Sequence, residues 1–145
     1  MKINWTHIII HHSFTEDSKT VSWDAIRKYH VETQKWADIG YHFGIEMGPN
    51  GEYLLLTGRP LNQVGAHCKE ENMNKVGIGF CFVGNFDLAP PPTTMFVKGA
   101  HYVKSLMDVF GIIPSNVRWH RDYATYKSCP GTQFDMAVFR DLLKG

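Results

Sequence analysis

The sequence predicts an α/β fold, a single domain with a central mixed β-sheet of about five strands flanked by about three helices. Three observations predict it. Short apolar and β-branched runs alternate along the chain with stretches of helical periodicity, as expected for helices layered on one sheet. Asn50-Gly51 stands as a hairpin turn between two strand-like runs, so at least one strand pair is antiparallel and the sheet is mixed. Finally, 145 residues with 43% hydrophobic and 20% charged side chains suit one compact soluble domain spanning 1–145, with no repeat, linker or low-complexity tract.

The elements follow in order. Thr6 to Ile10 is a short apolar run that suits a strand covered on both faces, and it ends at His11-His12-Ser13. Ser22 offers an N-cap for a helix reaching about Lys35, with Ala25, Ile26, Tyr29, His30 and Thr33 at helical spacing. Tyr41 to Met47 and Glu52 to Leu56 form the two arms of the hairpin. Val76 to Val83 is another apolar run, in which Gly77 and Gly79 indicate a close backbone approach. Ala89-Pro90-Pro91-Pro92 is a stiff extended connection. A helix capped by Thr93 or Thr94 then runs to about Phe110, stopped by Gly111 and Pro114. Val117-Arg118-Trp119 is a short strand delivering His120, and a last helix covers about Phe134 to Leu143.

Charge and composition narrow the function classes. A net charge of +1, with Lys and Arg scattered, gives no basic face, so no nucleic-acid partner is expected. The apolar runs are too short to span a bilayer, and no membrane insertion is expected. Residues Met1 to Trp5 lead straight into a strand without the charged and apolar regions of a secretory signal, so synthesis in the cytoplasm is expected. Three cysteines, Cys68, Cys81 and Cys129, make no disulfide framework, which leaves metal ligation or nucleophilic chemistry as the special uses of any one of them. Eight histidines, several of them beside turns or strand ends, point the same way.

Catalytic zinc typically takes three ligands from His, Cys and carboxylate and leaves a fourth position open. His11 and His120 each follow a strand, and Cys129 stands nine residues after His120 in a loop closed by Pro130-Gly131. Together they make a chemically sound His₂Cys set. On an alternating strand His11 and His12 point to opposite faces, and composition leaves open which of them faces the site.

Seven segments carry a resemblance across nearly the whole chain: residues 8–13 (IIIHHS), 36–43 (WADIGYHF), 58–60 (GRP), 64–67 (VGAH), 83–86 (VGNF), 120–122 (HRD) and 129–131 (CPG). In this order they resemble the type 2 N-acetylmuramoyl-L-alanine amidases, the family of amidase-type phage lysozymes and animal peptidoglycan recognition proteins. The resemblance implies a Zn²⁺ cofactor held by His11 (rather than His12), His120 and Cys129, with Tyr41 and Lys127 as catalytic residues. It implies hydrolysis of the amide joining N-acetylmuramic acid to L-alanine, with peptidoglycan or muropeptide as substrate and a monomeric protein. His67 and Arg59 are expected to contact the substrate, Arg59 by meeting a stem-peptide carboxylate through its planar fork. Trp36 and Trp119 are expected in the core.

Two departures bear on the branch. The stretch from His120 to Cys129 is one residue longer than in many relatives. The branch that recycles muropeptides in the cytosol places a general-base glutamate where this chain has Cys81, so the Tyr/Lys version found in phage lysozymes fits better. Recognition domains that bind peptidoglycan without cutting it commonly lose the cysteine ligand, whereas Cys129 is present here. The expected context is therefore a phage-type endolysin that degrades the cell wall, an antibacterial and bacteriolytic activity, after release through a separate pore.

Overall fold

The computed structural model describes residues 2–14 and 23–144. Its centre is β4 (Gly77–Phe82), in a five-stranded sheet that also holds β1 (His7–His12), β2 (Phe43–Met47), β3 (Tyr53–Thr57) and β5 (Val117–Trp119). The order across the sheet is β3-β2-β4-β1-β5. Strands β2, β4, β1 and β5 run parallel, and only the edge strand β3 is antiparallel, paired to β2 through the expected hairpin. The α/β expectation and the mixed sheet both hold.

The sequence of β4, Gly-Ile-Gly-Phe-Cys-Phe, explains how the two faces differ. Alternation sends Ile78, Phe80 and Phe82 to one side, where each is fully buried. In register with them stand Ile8 and Ile10 of β1 and Phe43 and Ile45 of β2. This side is the main core, covered by α2 (Thr93–Phe110) and α3 (Met136–Leu143) through Met95, Val103, Met107 and Phe139. Rings of Phe82, Phe134 and Phe139 meet at centroid distances of 5.1–5.8 Å, close to the edge-to-face spacing aromatic pairs prefer. The opposite face of β4 carries Gly77, Gly79 and Cys81, and this small face is where the histidines gather. A lesser cluster of Trp23, Ile26, Ile39 and Val83 lies on that side beneath α1 (Trp23–Lys28).

Element ends differ from expectation for local reasons. Ser22 lies outside the described residues. The first helix is α-helical only to Lys28 and widens into a π turn over Tyr29–Thr33, closed by Gln34 N–H donating to the Tyr29 carbonyl at 3.1 Å. The widened turn sets the His30 ring against Trp36 and Tyr41, at 4.6 and 5.7 Å, and lets its Nδ1 accept from Gly40 N–H at 3.0 Å. Strand β2 starts at Phe43, and just before it Arg59 N–H donates to the Tyr41 carbonyl at 3.0 Å. Helix α2 begins at Thr93 with Pro92 as its N-cap and no side-chain cap, the fixed proline φ of −52° setting the entry. It ends at Gly111 in the left-handed region, φ 68°, where glycine carries no Cβ penalty. Helix α3 starts at Met136 because Asp135 caps it, accepting from Val138 N–H at 3.1 Å.

Phe82→Ala should therefore lower the unfolding free energy by about 3–5 kcal/mol, the usual cost of emptying a buried aromatic site. Leu54→Ala, on the exposed face of β3, should change it by less than about 1 kcal/mol. Urea titrations followed by circular dichroism read both.

Candidate metal centre

Parallel neighbouring strands end at the same edge of a sheet, and their loops make the crevice where α/β proteins bind ligands. His11 lies near the end of β1, and His120 follows β5 directly. His120 opens a short turn whose first bonds are made by its own motif. The Asp122 carboxylate accepts from Trp119 N–H and Arg118 Nε at 3.1 and 3.0 Å, and Ala124 N–H donates to the His120 carbonyl. Arg121 lies over the Trp119 ring at 3.4 Å, and its N–H donates to the Cys129 carbonyl at 2.9 Å, tying the two ligand motifs together.

Cys129 is fixed from two further sides. Asp87 accepts from Ser128 Oγ and Thr132 N–H, both at 2.8 Å, and so clamps the loop on either side of the cysteine. The His12 backbone N–H donates to Cys129 Sγ at 3.3 Å, which favours a thiolate. The His12 ring itself points elsewhere, its Nδ1 accepting from Phe86 N–H at 3.1 Å.

The result is a buried group in which the ligand atoms of His11, His120 and Cys129 all lie within 4.8 Å of one another. Cys129 Sγ is 3.7 Å from His11 Nδ1. Bond lengths of about 2.3 Å to sulfur and 2.0 Å to nitrogen, in a tetrahedron, place such atoms about 3.5 Å apart. Two imidazoles, one thiol and this spacing fit a zinc ion with one coordination position left over.

Burial keeps the imidazoles neutral. It is the largest cause of the depressed pKa of His11 and of His120, the latter held at about 4, with the Lys127 charge the next cause for His120. Burial also pushes the Cys129 thiol up to about 12. On the far side of His120, the Glu70 carboxylate stands 4.0 Å from Nε2. Tyr126 donates to Glu70 at 2.6 Å, the largest cause of its lowered pKa. Glu70, Cys68 and His120 form a second group of potential ligands, but it borrows His120 from the first.

The remaining expected residues differ in where the structure places them. Tyr41 and Lys127 line the same cleft of about 490 Å³ as His11, His120 and Cys129. The Tyr41 ring lies 5.1 Å from that of His11. Burial first, then the neighbouring Cys81 and Cys129 thiols, raise its pKa well above 10, so its hydroxyl is a proton donor at neutral pH. Trp36 lines the cleft instead of the core, while Trp119 packs against the main core. Arg59 has its guanidinium taken up by the carbonyls of Ile39, Val64 and Asp38 at 2.8–3.3 Å. It clamps the loops beside the cleft, and the geometry gives no support to a carboxylate contact. His67 is on the cleft wall, yet its ring bonds to His11. Glu70 and Asp87 were not singled out from the sequence, because an acid in a loop carries no local signature.

The N-acetylmuramoyl-L-alanine amidase family model matches residues 1–132. The chain belongs to this family. The endolysin of Enterobacteria phage T3 is 35% identical over 135 residues, covering 89% of this chain and 81% of that protein. Among solved structures, the N-acetylmuramoyl-L-alanine amidase LysC from Clostridium intestinale superposes with a TM-score of 0.83 at 25% identity, over 97% of this chain and 86% of that one. Wild-type Drosophila PGRP-LB gives a TM-score of 0.71 at 26% identity, over 92% and 79%. Among the described residues no helix is long and apolar enough to cross a membrane.

Two pH effects follow. The thiol must lose its proton to bind a metal while the histidines are already neutral, so zinc binding should release about one proton per ion near pH 7–8. Its affinity should rise about tenfold per pH unit there. Calorimetry in buffers of different ionisation enthalpy counts that proton, and a count of zero excludes Cys129 as ligand. Acid works against the fold. His12, at about 4, and His67, at about 3, titrate lower when folded than the ordinary 6.5, burial being the main cause. Between these values the unfolded chain binds more protons, so stability is full above about pH 6.5 and is lost as pH falls. The Tm of the metal-free protein should drop steadily from pH 6.5 to 4.

Proposed function

We propose that the protein is a single-domain, zinc-dependent amidase that hydrolyses the bond between the lactyl carbonyl of N-acetylmuramic acid and the first L-alanine of the stem peptide. The observation that carries this reading is the meeting of His11, His120 and Cys129 with Tyr41 and Lys127 in one cleft. Residues 1–145 form the catalytic unit.

The bond is a poor electrophile, and water is a poor nucleophile. His11, His120 and Cys129 would hold a zinc ion, which would supply Lewis acidity and a water of lowered pKa. The side chains divide the remaining work. Lys127 brings a positive charge to the cleft wall and stabilises the oxyanion that develops as the carbonyl carbon becomes tetrahedral. Tyr41 keeps its proton at neutral pH, so it acts as a hydrogen-bond donor that orients the attacking water or the carbonyl. Hydrolysis places the hydroxyl of water on the lactyl carbon and a proton on the departing amine of L-alanine.

The setting proposed is that of a phage-type endolysin, made in the cytoplasm and released to the wall through a separate pore. The phage endolysin relative supports it, as does the presence of Cys81 at the position where the recycling branch carries glutamate.

Purified protein loaded with zinc should clear permeabilised Gram-negative cells and expose new L-alanine amino termini in peptidoglycan, without new reducing ends. A chelator should stop it. New reducing ends, or clearing indifferent to the chelator, would overturn the assignment. Lys127→Ala and Tyr41→Phe should each keep the metal and lose about 10²–10³ in rate, as expected for removal of a transition-state hydrogen-bond donor. Wild-type turnover in both zinc-loaded variants would remove them from the mechanism.

A further inference from the structure

A metal-binding imidazole must present a bare nitrogen, and the proton on its other nitrogen is usually held by an outer partner. Resting on the amidase reading above, we propose that His67 is a positioning residue that fixes the tautomer of His11 and so leaves His11 Nδ1 bare for the metal.

The hydrogen-bond chain has only one consistent reading. His67 Nε2 lies 2.9 Å from the Gly77 carbonyl, which can only accept, so Nε2 carries the proton. In a neutral ring the other nitrogen, Nδ1, is then an acceptor. His67 Nδ1 is 2.9 Å from His11 Nε2, so His11 must donate there, and its own proton resides on Nε2. His11 Nδ1 is left without a hydrogen, facing Cys129 Sγ at 3.7 Å. A backbone carbonyl of β4 thus determines, through two rings, which nitrogen of His11 meets the metal.

The fold is shaped to hold this ring. On the small face of β4, a Cβ added to Gly79 would lie 2.6–2.9 Å from three His67 ring atoms. A Cβ on Gly65 would lie 2.4 Å from His67 Cδ2. Two glycines, one on the strand and one in the loop that delivers His67, therefore make the slot for the imidazole. The backbone is pinned as well, with His67 and Cys68 N–H both donating to Asn74 Oδ1 at 2.7 Å. The His11 and His67 rings stand at 90° to one another with centroids 4.9 Å apart, as a ring-edge to ring-edge hydrogen bond allows. With both ring nitrogens used, His67 has no nitrogen left for the substrate groove it borders.

Long-range ¹H–¹⁵N correlation of the zinc-free wild-type protein reads the tautomer directly. The expected result is a His11 with Nε2 protonated and Nδ1 bare, and the opposite tautomer overturns the proposal without any variant. His67→Leu removes the acceptor and should weaken zinc binding by about 10–100-fold in competition with a chromophoric chelator. His67→Asn can place Oδ1 where Nδ1 stood and should recover most of that loss, which a merely space-filling role would not show. A folded His67→Leu protein with wild-type zinc affinity also overturns the proposal. These readouts are independent of turnover: a zinc-loaded wild type that cuts no peptidoglycan sinks the amidase reading and leaves the tautomer result standing.

Discussion

His11 and His120 meet because β1 and β5 lie side by side and point the same way. The pairing of Ile8 with Val117 and Ile10 with Trp119 brings both strands to the same edge of the sheet, and the residues that follow emerge together. Every other part of the site refers to that edge. The Cys129 loop is tied to it through the Cys129 carbonyl and Arg121, and Asp87 ties the same loop to the segment after β4. Shifting the β1–β5 register by one residue would turn His11 to the helix side and His12 to the cleft, because side chains alternate with a period of two.

The sheet separates two duties by side-chain size. Its helix side is filled by Ile and Phe and supplies most of the apolar burial. Its other side gives up that burial at Gly79 so that the His67 imidazole can approach the backbone closely. Polar groups buried this way are costly unless bonded, and the protein meets that demand: among the described residues no fully buried side-chain nitrogen or oxygen lacks a partner. Arg59, Asp87 and Asn74 contribute here, each using its side chain to hold backbone in place.

Much of this was legible in the sequence. The strand of residues 117–119 and the hairpin around Asn50-Gly51 are set by local chemistry, and they fall where expected. The three candidate ligands were individually ordinary, and resemblance joined them, since 109 positions separate His11 from His120 and no local spacing expresses a contact of that range. His67 and Arg59 show the limit. Both stand in recognisable motifs, but whether such a side chain faces substrate or structure depends on which carbonyls lie within 3 Å, a tertiary fact. The π turn after Lys28 was hidden for the same reason, because the pull on His30 comes from Trp36 and Tyr41.

Cys81 has one more consequence. It is aligned with His11 across the β1–β4 ladder, is fully buried, and belongs to the cluster against which Tyr41 packs. Burial holds the Cys81 thiol well above its ordinary range, so the companion of the neighbouring tyrosine is uncharged at neutral pH. Replacing Cys81 with glutamate in isolation would bury a carboxylate in the apolar cluster of Ile39 and Val83, where an unpaired charge is costly.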